Sequence, residues 1–173
     1  MLNEGIIPNV QSPVNIVLLF AEEDESWRII LLNHLSGLKS EGRITLWDIH
    51  QIRPGANREA AIEEQLKTAS MILLLVSAVC LTSHEREIEQ VLQRQASGKV
   101  LPMPILLHPV DWQNSRLSHL QPLPGNGVPI TAHHNQDAAF VEVVTGIRRA
   151  LLGIEHPATY TRPPTFPRVW NIP

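Results

Sequence analysis

The stretch MILLLVSAVCLTSHEREIEQVL (71–92) begins with six apolar residues and a serine, and passes into a charged segment with no proline or glycine between. A continuous apolar run of this length, rather than an alternating one, fits a strand buried on both faces. VNIVLLF (14–20) has the same character. Two such strands need helices above and below them, so the segments between decide the fold. EEDESWRIILLNHLSGLKSEG (22–42) has a helical period, with Trp27, Ile30, Leu31, Leu35 and Leu38 on one face, acids in the first turn and Gly42 as a stop. RITLW (43–47) fits a short strand, and REAAIEEQLKTA (58–69) a helix with Ile62, Leu66 and Ala69 inward. Thr82 or Ser83 is expected to cap a helix running to about Ser97, with Ile88, Val91 and Leu92 inward. KVLPMPILLHP (99–109) fits a strand whose prolines put it near an edge or at a bulge. VPIT (128–131) is expected to be a brief fifth strand, and NQDAAFVEVVTGIRRALLG (135–153) the last helix.

Strands alternating with helices give a parallel sheet with right-handed crossovers. The expectation is an α/β, flavodoxin-like three-layer sandwich whose five parallel strands run in the order 2-1-3-4-5. The domain is expected over 14–153, with an N-terminal extension over 1–13 and a proline-rich linker over 154–173 leading to a further domain. That last segment carries five of the 14 prolines and has no helical or strand period.

Composition narrows the function classes. A net charge of −3 gives no basic footprint for nucleic acid. Cys80 is the single cysteine, so an intrachain disulfide or a cysteine zinc site is excluded, and no metal is expected. The first 13 residues lack the basic and apolar regions of a signal peptide, and the apolar runs are too short to span a bilayer. A cytoplasmic protein without membrane partners is the expectation.

In an open parallel sheet the ligand crevice lies at the carboxyl ends of the strands, where the strand order reverses. Here that is between the first and third strands. The loop after Phe20, the loop after Ser77 and the Arg53-Pro54-Gly55 turn all lie at that edge. Three acids follow Ser77: Glu85, Glu87 and Glu89. Glu85 is explained as a helix-dipole partner. Glu87 is most simply a solvated charge. Glu89 borders the inward stripe and could turn its carboxylate into the crevice, although a solvated face is the more ordinary fate of such a cluster.

The ordered set VLLFAEEDESW, ITLWDIHQIRPGANREAAIEEQLKTASMILLLVS, VLPMPILLHPVDW and LQPLPGNGVPIT, with the glutamate helix between, resembles the bacterial kind of Toll/interleukin-1 receptor (TIR) domain over about 14–152. The resemblance implies a flavodoxin-like fold and a domain that self-associates through TIR–TIR contacts. It also implies cleavage of the nicotinamide–ribose bond of NAD⁺, a substrate rather than a cofactor, in immune-type signalling such as antiphage defence. Products would be nicotinamide with ADP-ribose or its cyclic form. One glutamate of the third helix does this work in such domains, and the resemblance assigns it to Glu89. It further implies substrate contacts at Phe20, Ala21, Asp24, Arg53, Gly55 and Ser77. Asp48, His50, Ile52, Arg53, Pro54 and Gly55 would form the interaction (BB) loop. A TIR domain that only pairs with others is the alternative. The Ser-Tyr-Ser frequent after the first strand of such domains is Leu19-Phe20-Ala21 here, and the aromatics before the glutamate give way to the polar run 84–87. The tail RPPTFPRVWNIP resembles a linker to a nucleotide-binding NTPase followed by helical repeats.

Overall fold

In the computed structural model, which describes residues 11–156, four parallel strands form one sheet. They are β1 (Val14–Leu19), β2 (Ile44–Trp47), β3 (Met71–Val76) and β4 (Leu101–Leu106), in the order β2-β1-β3-β4. Five helices connect and cover them: α1 (Glu25–Ser40), α2 (Arg58–Thr68), α3 (Ala78–Ser83), α4 (Glu85–Ala96) and α5 (Gln136–Glu155). Successive strand residues point to opposite faces. Ile16, Leu18, Met71, Leu73 and Leu75 therefore meet Leu31, Leu35 and Leu38 of α1 and Phe140, Val143, Ile147 and Leu151 of α5. Val17, Leu19, Ile72, Leu74 and Val76 meet Ile62 and Leu66 of α2 and Ile88 and Val91 of α4. Both faces are covered, which is why β1 and β3 are apolar without alternation. Each such side chain contributes about 1.5–3 kcal/mol by leaving water. The result is the flavodoxin-like α/β fold.

Local chemistry sets the helix ends. Asn57 caps α2 by accepting from Ala60 N at 2.9 Å, and Asn135 caps α5 by accepting from Ala138 N at 3.0 Å. Gly42 takes φ 68°, a left-handed turn that ends α1 and leads into β2.

The expected fifth strand is absent among the described residues. Ile130–Ala132 is a 3-10 turn with Ile130 fully buried, and Leu123 makes a single parallel bridge to Ile105 of β4. The cause is a shortage of donors. The 123–131 segment holds Pro124 and Pro129, and β4 holds Pro102 and Pro104, none with an N–H to give. The β4 prolines are in phase with this. Leu101 N and Leu107 N bond inward to Ser70 O and Val76 O, so Pro102 and Pro104 fall on the outward side, where Leu106 N finds Leu123 O at 2.8 Å. β4, expected near an edge with one strand beyond it, is thus itself the edge strand.

The helix expected from Thr82 or Ser83 to Ser97 is α4, but a short helix the sequence did not announce, α3, precedes it. Thr82 Oγ1 and Ser83 Oγ do not cap α4. They donate back to Val79 O at 3.0 and 2.7 Å, competing with the helical ladder and closing α3. His84 then sits at the junction, and α4 begins at Glu85. α5 continues through Glu155, so the first two residues of the expected linker are helical. Most of that linker and of the N-terminal extension lies outside the described residues. No helix among the described residues is long and apolar enough to cross a membrane.

Candidate active site

The carboxyl ends of β1 and β3 bring Phe20 and Ser77 to the same edge of the sheet, where the strand order reverses and where a crevice is expected. Ser77 is the N-cap of α3: its Oγ accepts from Cys80 N at 3.2 Å. The same hydroxyl donates to Asp24 Oδ2 at 2.6 Å, and the other oxygen of Asp24 meets His108 Nε2 at 3.2 Å. Asp24 is 5% exposed and Ser77 4%. A buried carboxylate is tolerated because both oxygens have partners. Ala21, whose carbonyl accepts from Asp24 N, is buried as well. Burial raises the Cys80 thiol to about 12, with the negative charges of Asp24 and then Glu87 adding to the effect.

His84 links this edge to α4. Its Nε2 lies 2.8 Å from Phe20 O, and a carbonyl can only accept, so Nε2 carries the proton. Its Nδ1 is buried without a hydrogen-bond partner, and Glu87 Oε2 stands 3.7 Å away. Glu87 is the most shielded of the three glutamates, with 19% of its side chain exposed against 72% for Glu85 and 47% for Glu89.

The expectation for Glu89 is not met. Its carboxylate pairs with Arg116, on a face of α4 shared with Glu85. Together with Thr82, Ser83, Arg86 and Gln90 these residues line an open groove of about 520 Å³ that none of Phe20, Asp24 and Ser77 lines. The physical reason is helical phase. His84, Glu87, Ile88 and Val91 follow the spacing i, i+3, i+4, i+7 and define the inward stripe, while Glu89 lies nearly opposite Val91. That spacing was available in the sequence; it places Glu87 inside and makes the solvated-charge reading of Glu87 wrong. His84 and His108 were not anticipated, because their partners come from β1 and from the turn after it.

The loop after β2 does reach the crevice, through its first residues. Asp48 caps the turn by accepting from His50 N at 2.9 Å and takes Arg28 Nε at 2.9 Å on its other oxygen. At 2% exposure Asp48 is an internal anchor, not the contact residue expected of it. Ile52 is half-buried against the α2/α4 side of the core. Arg53, Pro54 and Gly55 are exposed, with Gly55 at φ 82°, and remain available to a partner. Phe20 is 1% exposed because His50 stacks on it, centroids 5.8 Å apart at 18°, and the Arg28 guanidinium lies 5.5 Å over its ring. Phe20, Ala21, Asp24 and Ser77 thus come together as expected, but as a closed set. Neither Arg53 nor Gly55 has a bond to them.

Residues 16–144 match the TIR domain family, TIR_2. The chain belongs to that family. It is 32% identical over 139 residues to "Uncharacterized protein y4lF" of Sinorhizobium fredii, a stretch that is 79% of this chain and 43% of that protein. The chain therefore spans less than half the length of that relative. The crystal structure of the TIR domain of the Toll-related receptor TRR-2 from Hydra magnipapillata matches with a TM-score of 0.53 at 19% identity, over 77% of this chain and 97% of that one. That likeness speaks to the fold.

Proposed function

We propose that this TIR domain cleaves the nicotinamide–ribose bond of NAD⁺ when copies of it self-associate, and that Glu87 rather than Glu89 supplies the carboxylate. The observation that carries the reading is the position of Glu87: an acid on the inward stripe of α4, largely shielded, 3.7 Å from His84, whose other ring nitrogen meets Phe20 O at the edge where the strand order reverses. The chemistry needs one carboxylate. As the C1′–N bond breaks, its electron pair passes to the pyridinium nitrogen and nicotinamide leaves neutral, so no acid is required. Glu87 would hold a ribose hydroxyl and stabilise the positive charge growing at C1′. Water then bonds to C1′ and gives up a proton, leaving ADP-ribose; capture by a nucleophilic atom of the substrate itself would give the cyclic form. In a shielded site such a charge acts through a lower effective dielectric than in water.

The test is nicotinamide release from NAD⁺ by the chain clustered on a multivalent scaffold, for Glu87→Gln and Glu89→Gln in parallel. The expected outcome is a loss of at least about 100-fold for Glu87→Gln, the scale of a lost electrostatic stabiliser, with Glu89→Gln within a few-fold of the parent. Equal loss in both variants, or full retention in Glu87→Gln, would refute the assignment. A clustered parent that leaves NAD⁺ intact would make the chain a docking module whose exposed Arg53-Pro54-Gly55 turn serves TIR–TIR contact.

A further inference from the structure

Asp24 lies between two partners of different kinds. Ser77 donates to Oδ2 from a buried position, at 2.6 Å. His108 meets Oδ1 at 3.2 Å from a side chain that is 37% exposed. His108 is the second residue past β4. Its backbone N and that of Leu107 both reach Val76 O, at 3.3 and 3.0 Å, so it stands directly beside the end of β3. The Trp27 indole meets its ring at 86°, centroids 6.2 Å apart, and walls one side of it. A carboxylate oxygen accepts, so the ring nitrogen facing Asp24 carries the proton. That fixes the tautomer: Nε2 has the hydrogen and Nδ1 the lone pair. Nδ1 has no hydrogen-bond partner among the described residues. The charges of Asp24 and Glu87 both act on the Cys80 thiol, so the two carboxylates lie near one side chain.

An imidazole backed by a buried carboxylate, with its far nitrogen free, is arranged as a base: the carboxylate holds the ring and stabilises the charge it gains with a proton. We infer that His108 is the base that takes the proton from the water attacking C1′, and so directs the reaction toward ADP-ribose. This rests on the glycohydrolase reading and names the residue for its second step. In that step a water oxygen bonds to C1′, one of its O–H bonds breaks, and the proton passes to the Nδ1 lone pair. The ring then returns it to solvent. Asp24 touches no substrate and only positions the imidazole. Glu87 and His108 divide the work: one answers the positive charge at C1′, the other the proton that water must lose. A neutral pyridine that captures C1′ has no proton to lose and needs no such base.

That difference gives the test. The chain clustered on a multivalent scaffold is supplied with NAD⁺ and 3-acetylpyridine, and both ADP-ribose and the 3-acetylpyridine analogue of NAD⁺ are measured. In His108→Gln the ratio of exchange product to ADP-ribose is expected to rise at least about tenfold over the parent, because a general base contributes about 10²–10⁴-fold to its step and only capture by water uses it. An imidazole that merely filled the space beside Asp24 would leave the ratio where it was, and an unchanged ratio overturns the inference. A second readout needs no turnover. The two-bond ¹H–¹⁵N spectrum of the parent chain is expected to show the neutral His108 ring protonated on Nε2, and a proton on Nδ1 would overturn the assignment. Failure of the glycohydrolase reading is seen separately, as a clustered parent that releases no nicotinamide; it removes the role of His108 with it, whereas release with an unchanged ratio removes that role alone.

Discussion

Ser77→Ala is the most informative single perturbation of the crevice. One oxygen does two things there: it donates to the buried Asp24 carboxylate at 2.6 Å and accepts from Cys80 N as the cap of α3. A hydrogen bond to a charged group contributes about 1.5–3 kcal/mol, and leaving a buried charge short of a donor forfeits that fully. Loss of a serine cap costs about 1 kcal/mol. The two add to about 2.5–4 kcal/mol, which for a domain of about 150 residues lowers Tm by roughly 5–15 °C. Urea unfolding followed by tryptophan fluorescence measures it, with an unchanged slope showing that only stability moved. The cycle of Ser77→Ala, Asp24→Ala and the double variant isolates the shared term, expected at about 1.5–3 kcal/mol. A coupling under about 0.5 kcal/mol would refute the claim that Asp24 is held by Ser77, and the crevice would have to be built around His108 instead.

Two further outcomes follow from the same geometry. Cys80, with its thiol pushed up to about 12 by burial, should resist thiol reagents at pH 8 in the native chain and react promptly in urea. Its sign is set by linkage. The unfolded chain gives up this proton near the ordinary thiol value while the folded chain keeps it, so stability falls as pH rises from about 9 toward 12. The caps of α2 and α5 act on opposite faces of the sheet, so Asn57→Ala and Asn135→Ala should each cost about 1 kcal/mol and the double variant about 2, read by denaturant midpoints.

Much of this was legible without coordinates, and the exceptions have physical causes. β1 and β3 announced themselves because both faces are buried, and the order 2-1-3-4 followed from alternation and handedness. Asn57 and Asn135 do what capping residues do. The break at His84 was hidden because hydroxyls at Thr82 and Ser83 serve a start signal and a stop signal with the same atoms; which one they serve depends on whether α3 already exists above them. The inward position of Glu87 was legible: beside Ile88 alone its neighbour Glu89 looks inward, whereas the four-residue stripe from His84 to Val91 sets the phase. The Asp24–Ser77 bond spans 53 residues and appears only once β1 and β3 are side by side. The missing fifth strand turned on counting N–H donors rather than apolar residues.

The outward rim of β4 bears on crowding. Pro102 and Pro104 leave that rim without amide hydrogens where a foreign strand would seek them, and Leu123 caps what remains. Copies pressed together at high local density have no template for sheet-to-sheet growth along this border. The route to strand-by-strand growth of a fibril is closed along this border by two pyrrolidine rings.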